Sequence, residues 1–202
     1  MIQTWRQMVV LAVCIGTLGQ PGMAADIVKD GKALGTVWIK DASPEFLKKQ
    51  ESDGLALDKM GTRASKATTD KKVAEYLVAY VDKISGVKLE IMDAAKSGRP
   101  DAKDPAIVIG TLALEMGLPT PPKTISWDGY RLQTKGNHLL LAGESGPAAE
   151  FAVTHFLERF GYRWLTWGKL GEAIPVVKTM SLDGFDVSET PDFLFRCVWG
   201  AD

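Results

Sequence analysis

The chain is poor in the residues that mark metal and redox chemistry: of 202 residues only two are cysteine and two histidine. No Cys-x-x-Cys, His-x-x-x-His or His-Glu pair occurs, and His138 and His155 stand far apart, so the sequence calls for no metal and no cofactor. A formal net charge of −1 leaves no strong basic field, which argues against a protein that grips nucleic acid. With 46% hydrophobic and 24% charged residues, the composition is neither disordered nor collagen-like. Internal repeats and low-complexity tracts are absent, and the length suits one domain with an attached segment. No apolar run reaches the ~20 residues that span a bilayer.

What the amino terminus does have is the pattern of a secretory signal over residues 1–25. Arg6 supplies the positive charge, and the apolar run beginning Met8-Val9-Val10-Leu11-Ala12 covers about 12 residues before Pro21-Gly22 breaks it. Small residues at Gly22, Ala24 and Ala25 suit cleavage after Ala24 or Ala25. Val13 before Cys14 is too large for a lipidation signal. After cleavage only Cys197 remains, so the exported chain has no internal disulfide and rests on burial. It should then have no contact with a membrane, and its oligomeric state is open.

Residues 26–69 read as an amino-terminal hairpin and linker. Ile27-Val28 and Thr36-Val37-Trp38-Ile39 flank the turn-prone Asp30-Gly31-Lys32, and a polar stretch follows with one short helix near Pro44–Lys49. The main body is expected over 70–190. Val73, Leu77, Tyr80, Val81 and Ile84 recur at helical spacing between Asp70 and Ser85, with Thr69 or Asp70 as cap and Gly86 as stop. Val87 to Ile91 alternates like a half-buried strand, 93–104 reads as a loop, and Ala106-Ile107-Val108-Ile109 as a central strand. Residues 128–134 and 138–142 form the strongest hairpin signal, turning at Lys135-Gly136-Asn137. A second helix starts in Gly143–Pro147 and ends at Gly161, with Ala149, Ala152, Val153, Phe156 and Leu157 on its apolar face. The order predicts an α+β fold: a mostly antiparallel or mixed sheet with two main helices packed on one face.

Several residues invite a chemical reading. Gly143-Glu144-Ser145-Gly146-Pro147 resembles a nucleophile elbow, but Pro147 stands where Gly is needed, and a capped helix entry explains the same residues. As an anion cradle it lacks the lysine of a phosphate loop. Among the carboxylates Glu75, Glu90, Glu115, Glu144, Glu150 and Glu158 no two stand out as an acid–base pair. From Tyr162 onward aromatics crowd together, and Trp164, Trp167 and Trp199 suit either sugar stacking or an interface.

The order helix, Ile84-Ser85-Gly86, strand, then Ala106 to Gly110, hairpin, helix and Gly161-Tyr162-Arg163-Trp164 resembles the non-catalytic α/β domain preceding the barrel in α-glucuronidases and β-N-acetylhexosaminidases. Thr190-Pro191-Asp192-Phe193-Leu194-Phe195-Arg196 is similar to the segment that leads into the first barrel strand of such enzymes, where Arg reaches the sugar. The resemblance implies that Arg196 binds substrate and that 191–202 is a junction toward a catalytic barrel. Guanidinium suits that role through its fixed fork of donors. The catalytic carboxylates would lie on barrel loops after Asp202, so this chain alone should hydrolyse nothing. The class implied is a secreted glycoside hydrolase whose partner is carbohydrate, with a free-standing carbohydrate-binding module as the alternative.

Overall fold

Eleven strands and four helices are built from residues 25–40, 69–124, 128–166, 169–190 and 192, which the computed structural model describes. Outside the described residues lie 1–24, with all but the last residue of the expected signal, 41–68, with the short helix expected near Pro44–Lys49, Trp167, and, except for Asp192, the expected junction 191–202 with Arg196 and Trp199.

Helix α1 (Asp70–Ser85) forms as its periodicity demands. The Thr69 hydroxyl accepts the Lys72 N–H, and Gly86 closes the helix at φ +74°, donating to the Asp82 carbonyl. Val73, Ala74, Leu77, Val81 and Ile84 are buried. Helix α4 (Gly146–Glu158) lies beside α1, and both bury their apolar stripes in one core with Ile107, Leu139 and Leu141 from the sheet. Short α2 (Ala94–Ser97) and α3 (Thr111–Glu115) complete the helices; Asp93 caps the first.

The strands are β1 (Asp26–Lys29), β2 (Lys32–Ala33), β3 (Thr36–Ile39), β4 (Ile91–Asp93), β5 (Ala106–Ile109), β6 (Tyr130–Lys135), β7 (His138–Gly143), β8 (Arg163–Trp164), β9 (Glu172–Ala173), β10 (Met180–Ser181) and β11 (Asp186–Glu189). Six form the central sheet in the order β11-β6-β7-β5-β3-β4. Its β11/β6 and β6/β7 pairings are antiparallel, whereas β7/β5, β5/β3 and β3/β4 are parallel. The fold is α+β with a mixed sheet, and the two main helices share one face. Period-two alternation sorts the sheet: Val37, Ile39, Ile107 and Ile109 face α1 and α4, while Trp38, Ala106, Val108 and Leu140 face α3. Among the described residues no helix is long and apolar enough to cross a membrane.

The amino-terminal hairpin differs from expectation. The turn at Asp30-Gly31 exists, but β1 pairs with β2 and with β10 from the far end of the chain. Thr36–Ile39 leaves that small sheet and lies between β4 and β5, joined to β4 by α1 as a parallel crossover. Val37 is fully buried on one face and Trp38 is 8% exposed on the other, the two-sided burial that parallel strands require. The strand expected over 87–91 begins only at Ile91: the first backbone bond to β3 is the Val37 N–H to the Glu90 carbonyl at 2.9 Å, and Val87 and Leu89 reach the core before pairing starts.

Candidate functional site

Ser145 is the helix cap. Its hydroxyl accepts the Ala148 N–H at 3.3 Å, and Pro147 occupies the first turn. Gly143 is required by packing: a Cβ there would lie 2.1 Å from the Ala149 nitrogen. His155 is ten residues along the same helix, about 15 Å of rise from the cap, so no Ser–His pair forms. His138 is buried, with its Nε2 3.0 Å from the Asp101 carbonyl oxygen. No metal-binding group of His, Cys, Asp or Glu occurs among the described residues.

Two features remain. The first is a finger of chain from β8 through β9 to Val176. Its root is fixed from several sides. Tyr162, immediately before it, is fully buried, and burial pushes its phenol well above the usual 10. Tyr80 donates its hydroxyl to Glu172 Oε1 at 2.7 Å, and Lys83 Nζ sits 3.1 Å from the other carboxylate oxygen. Arg163 donates to the Glu158 and Tyr162 carbonyls, and Val177 N–H to the Ile84 carbonyl. Tyr76 and Tyr80 meet with tilted rings and Tyr80 and Tyr162 edge to face, with centroids 4.7 and 5.0 Å apart.

The outward surface is the reverse. Trp164 is 60% exposed, Leu165 76%, Leu170 100% and Val176 82%. With Ile174 these make five of the eight exposed large hydrophobics among the described residues. Scattered apolar residues on a surface are ordinary; five within one firmly rooted finger are the pattern of an interaction surface. Of the aromatic residues expected at an interface, Trp164 is the one the structure places, and it places it outward.

The second feature is a groove between α4 and β11. One depression of about 280 Å³ is lined by Asp128, Tyr130, Phe151 and His155, with Glu189 and Thr190 on the β11 side. The Tyr130 hydroxyl is 3.1 Å from His155 Nδ1. Burial raises the Tyr130 phenol, and the Glu189 and Glu158 charges raise it further. A second depression of about 320 Å³ shares His155 and Glu158 and continues to Phe185 and Val187, where the Arg159 guanidinium lies 4.5 Å from the Phe185 ring centroid. Glu189 has no signal in the sequence because Asp186-Val187-Ser188-Glu189 is too polar to announce a strand, and Asp128 stands there only as the start of a hairpin arm. Only β11's pairing with β6 carries Glu189 to the groove.

Other carboxylates have structural partners. Glu144 accepts the Thr124 N–H at 2.8 Å and its hydroxyl at 3.0 Å, and Glu115 pairs with Lys40 and Arg99. No family model matches the chain, and no curated protein matches it.

Proposed function

We propose that the chain carries the non-catalytic accessory domain of an exported glycoside hydrolase of the α-glucuronidase or β-N-acetylhexosaminidase kind. Its role is to dock against a following barrel and support one wall of the sugar pocket. The observation that carries this reading is the finger: a root held by Tyr80, Lys83 and Arg163 presents an apolar tip that no described part of the chain covers. A free-standing domain gains nothing from holding Leu170 fully in water, whereas a docking face gains from being rigid before contact.

Export fits the amino-terminal end of the fold. The Ala25 carbonyl accepts the Leu182 N–H at 2.8 Å, so processing after Ala24 keeps that bond and removes only what precedes it. Cleavage there also leaves small Gly22 and Ala24 at the two positions the peptidase reads. Mass spectrometry of the exported protein should find Ala25 at its start, and an intact Met1 would count against export.

Incubation of the purified chain with aryl glycosides tests the accessory role. No turnover is expected, and enzyme-like rates would overturn it. The alternative, a free-standing carbohydrate-binding module, also uses Trp164; it predicts that oligosaccharides shift tryptophan fluorescence and that Trp164→Ala abolishes the shift.

A further inference from the structure

We propose that the groove between α4 and β11 is a saccharide-binding site, distinct from the finger and spanning more than one sugar ring. The proposal extends the carbohydrate reading above to a second surface and rests on that reading for the source of the sugar. Its argument is chemical. Asp128, Glu158 and Glu189 line the groove, which makes it hostile to an anion. Among the described residues that line the first depression Phe151 is the only purely apolar side chain, too little for a lipid or steroid.

An organic cation and a neutral polyol remain. The polar groups favour the polyol, because they offer donors as well as acceptors. When the Tyr130 hydroxyl donates to His155 Nδ1, the imidazole keeps its Nε2–H as a donor, and the phenol oxygen keeps lone pairs to accept. The Thr154 hydroxyl donates to the Glu150 carbonyl at 3.0 Å and lies 3.5 Å from the Tyr76 hydroxyl, which leaves one lone pair of its oxygen to accept. Arg159 brings a fixed guanidinium to the second depression, which a cationic ligand would meet as a like charge. Vicinal sugar hydroxyls are donor and acceptor at once and match this mixture. Phe151, 40% exposed, puts aromatic surface on the groove wall, of the kind that packs against the C–H side of a sugar ring.

Size points the same way. The first depression is near the lower bound of ~300 Å³ for small-ligand sites, room for one ring, and the second continues it through the shared His155 and Glu158. Glu189 and Thr190 form one rim, so a chain bound here lies beside the point where the polypeptide proceeds to 191.

The test is a titration of the purified chain with chitotetraose, xylotetraose and cellotetraose, and separately with arginine methyl ester, followed by amide NMR shifts. At least one tetrasaccharide should move resonances of residues 151–159 and 186–190 at millimolar concentration. Phe151→Ala and His155→Ala should each weaken it about tenfold. Trp164→Ala should leave it unchanged, and unaltered thermal melts of the three variants show that loss of binding is not loss of fold. The proposal is overturned if no tetrasaccharide moves these resonances, or if only arginine methyl ester does. It is equally overturned if binding survives both groove variants and is lost with Trp164→Ala, which is the binding-module outcome. A dead groove leaves the docking role of the finger intact, since that role is read from hydrolysis and from coverage of the finger.

Discussion

Strand β5 and the finger are both rich in apolar side chains, and they meet opposite fates. Ala106, Ile107, Val108 and Ile109 are all 0% exposed, walled by β3 and β7 at the sides and by helices on both faces. Trp164, Leu165 and Leu170 are more than half exposed although Trp164 pairs with Glu172, the Leu165 N–H donates to the Gly171 carbonyl, and the neighbouring Tyr162 is buried. Hydrophobic composition alone therefore does not tell a core from a contact surface. The difference lies in what surrounds each segment: β5 has neighbours on four sides, while among the described residues the finger has them only below.

Substitutions should separate the two regions most sharply. Ile107→Ala removes a fully buried side chain between β3 and β7 and should cost about 2–5 kcal/mol in chemical denaturation. Leu170→Ser, in the fully exposed tip, should stay within about 0.5 kcal/mol and should lower the tendency to self-associate. Equal destabilisation by both would erase the distinction.

The root of the finger should answer between these extremes. Glu172→Ala strips the acceptor from the Tyr80 hydroxyl and the partner from Lys83. Since Lys83 is 46% exposed its ion pair contributes little, and the loss should be about 1–3 kcal/mol from the unpaired phenol. Hydrogen exchange should show faster opening of 163–173 with the central sheet still protected.

The tyrosines compare the finger's root with the groove by another route. Tyr76, Tyr80 and Tyr162 at the root and Tyr130 in the groove are all held above their usual 10.0, by burial first in each case. Folded values above unfolded ones mean that stability is complete below pH ~10. As pH rises further the unfolded chain gives up protons that the folded chain keeps, and stability falls. Absorbance titration should show no phenol ionising at its free value in the native protein. Tyr162 should titrate last, together with unfolding. A tyrosine that ionises near pH 10 before unfolding would contradict its burial.

How much of this was legible beforehand follows from which contacts are local. Helices α1 and α4 were readable because Val73 to Ile84 and Ala149 to Leu157 repeat at helical spacing and carry their own caps. The β6–β7 hairpin was readable because its partner lies across Gly136-Asn137. β3 was read as a hairpin arm because its true neighbours, β4 and β5, lie more than fifty residues on. β8 to β11 were invisible for the same reason, being short, polar or aromatic, and defined only by remote pairing. The groove inherits that blindness, since Val187 and Glu189 on one rim belong to β11. The finger was half visible: the aromatic crowding from Tyr162 suggested a face to be covered, but only the structure separates buried Tyr162 and Phe185 from exposed Trp164.

Hydroxyl-radical footprinting of the chain alone, beside the longer exported hydrolase that the proposal requires it to belong to, tests the docking claim most directly. The account predicts heavy labelling of Trp164, Leu165, Leu170 and Val176 in the isolated chain and several-fold protection of all four in the longer protein. Equal labelling of the four in both samples would contradict it.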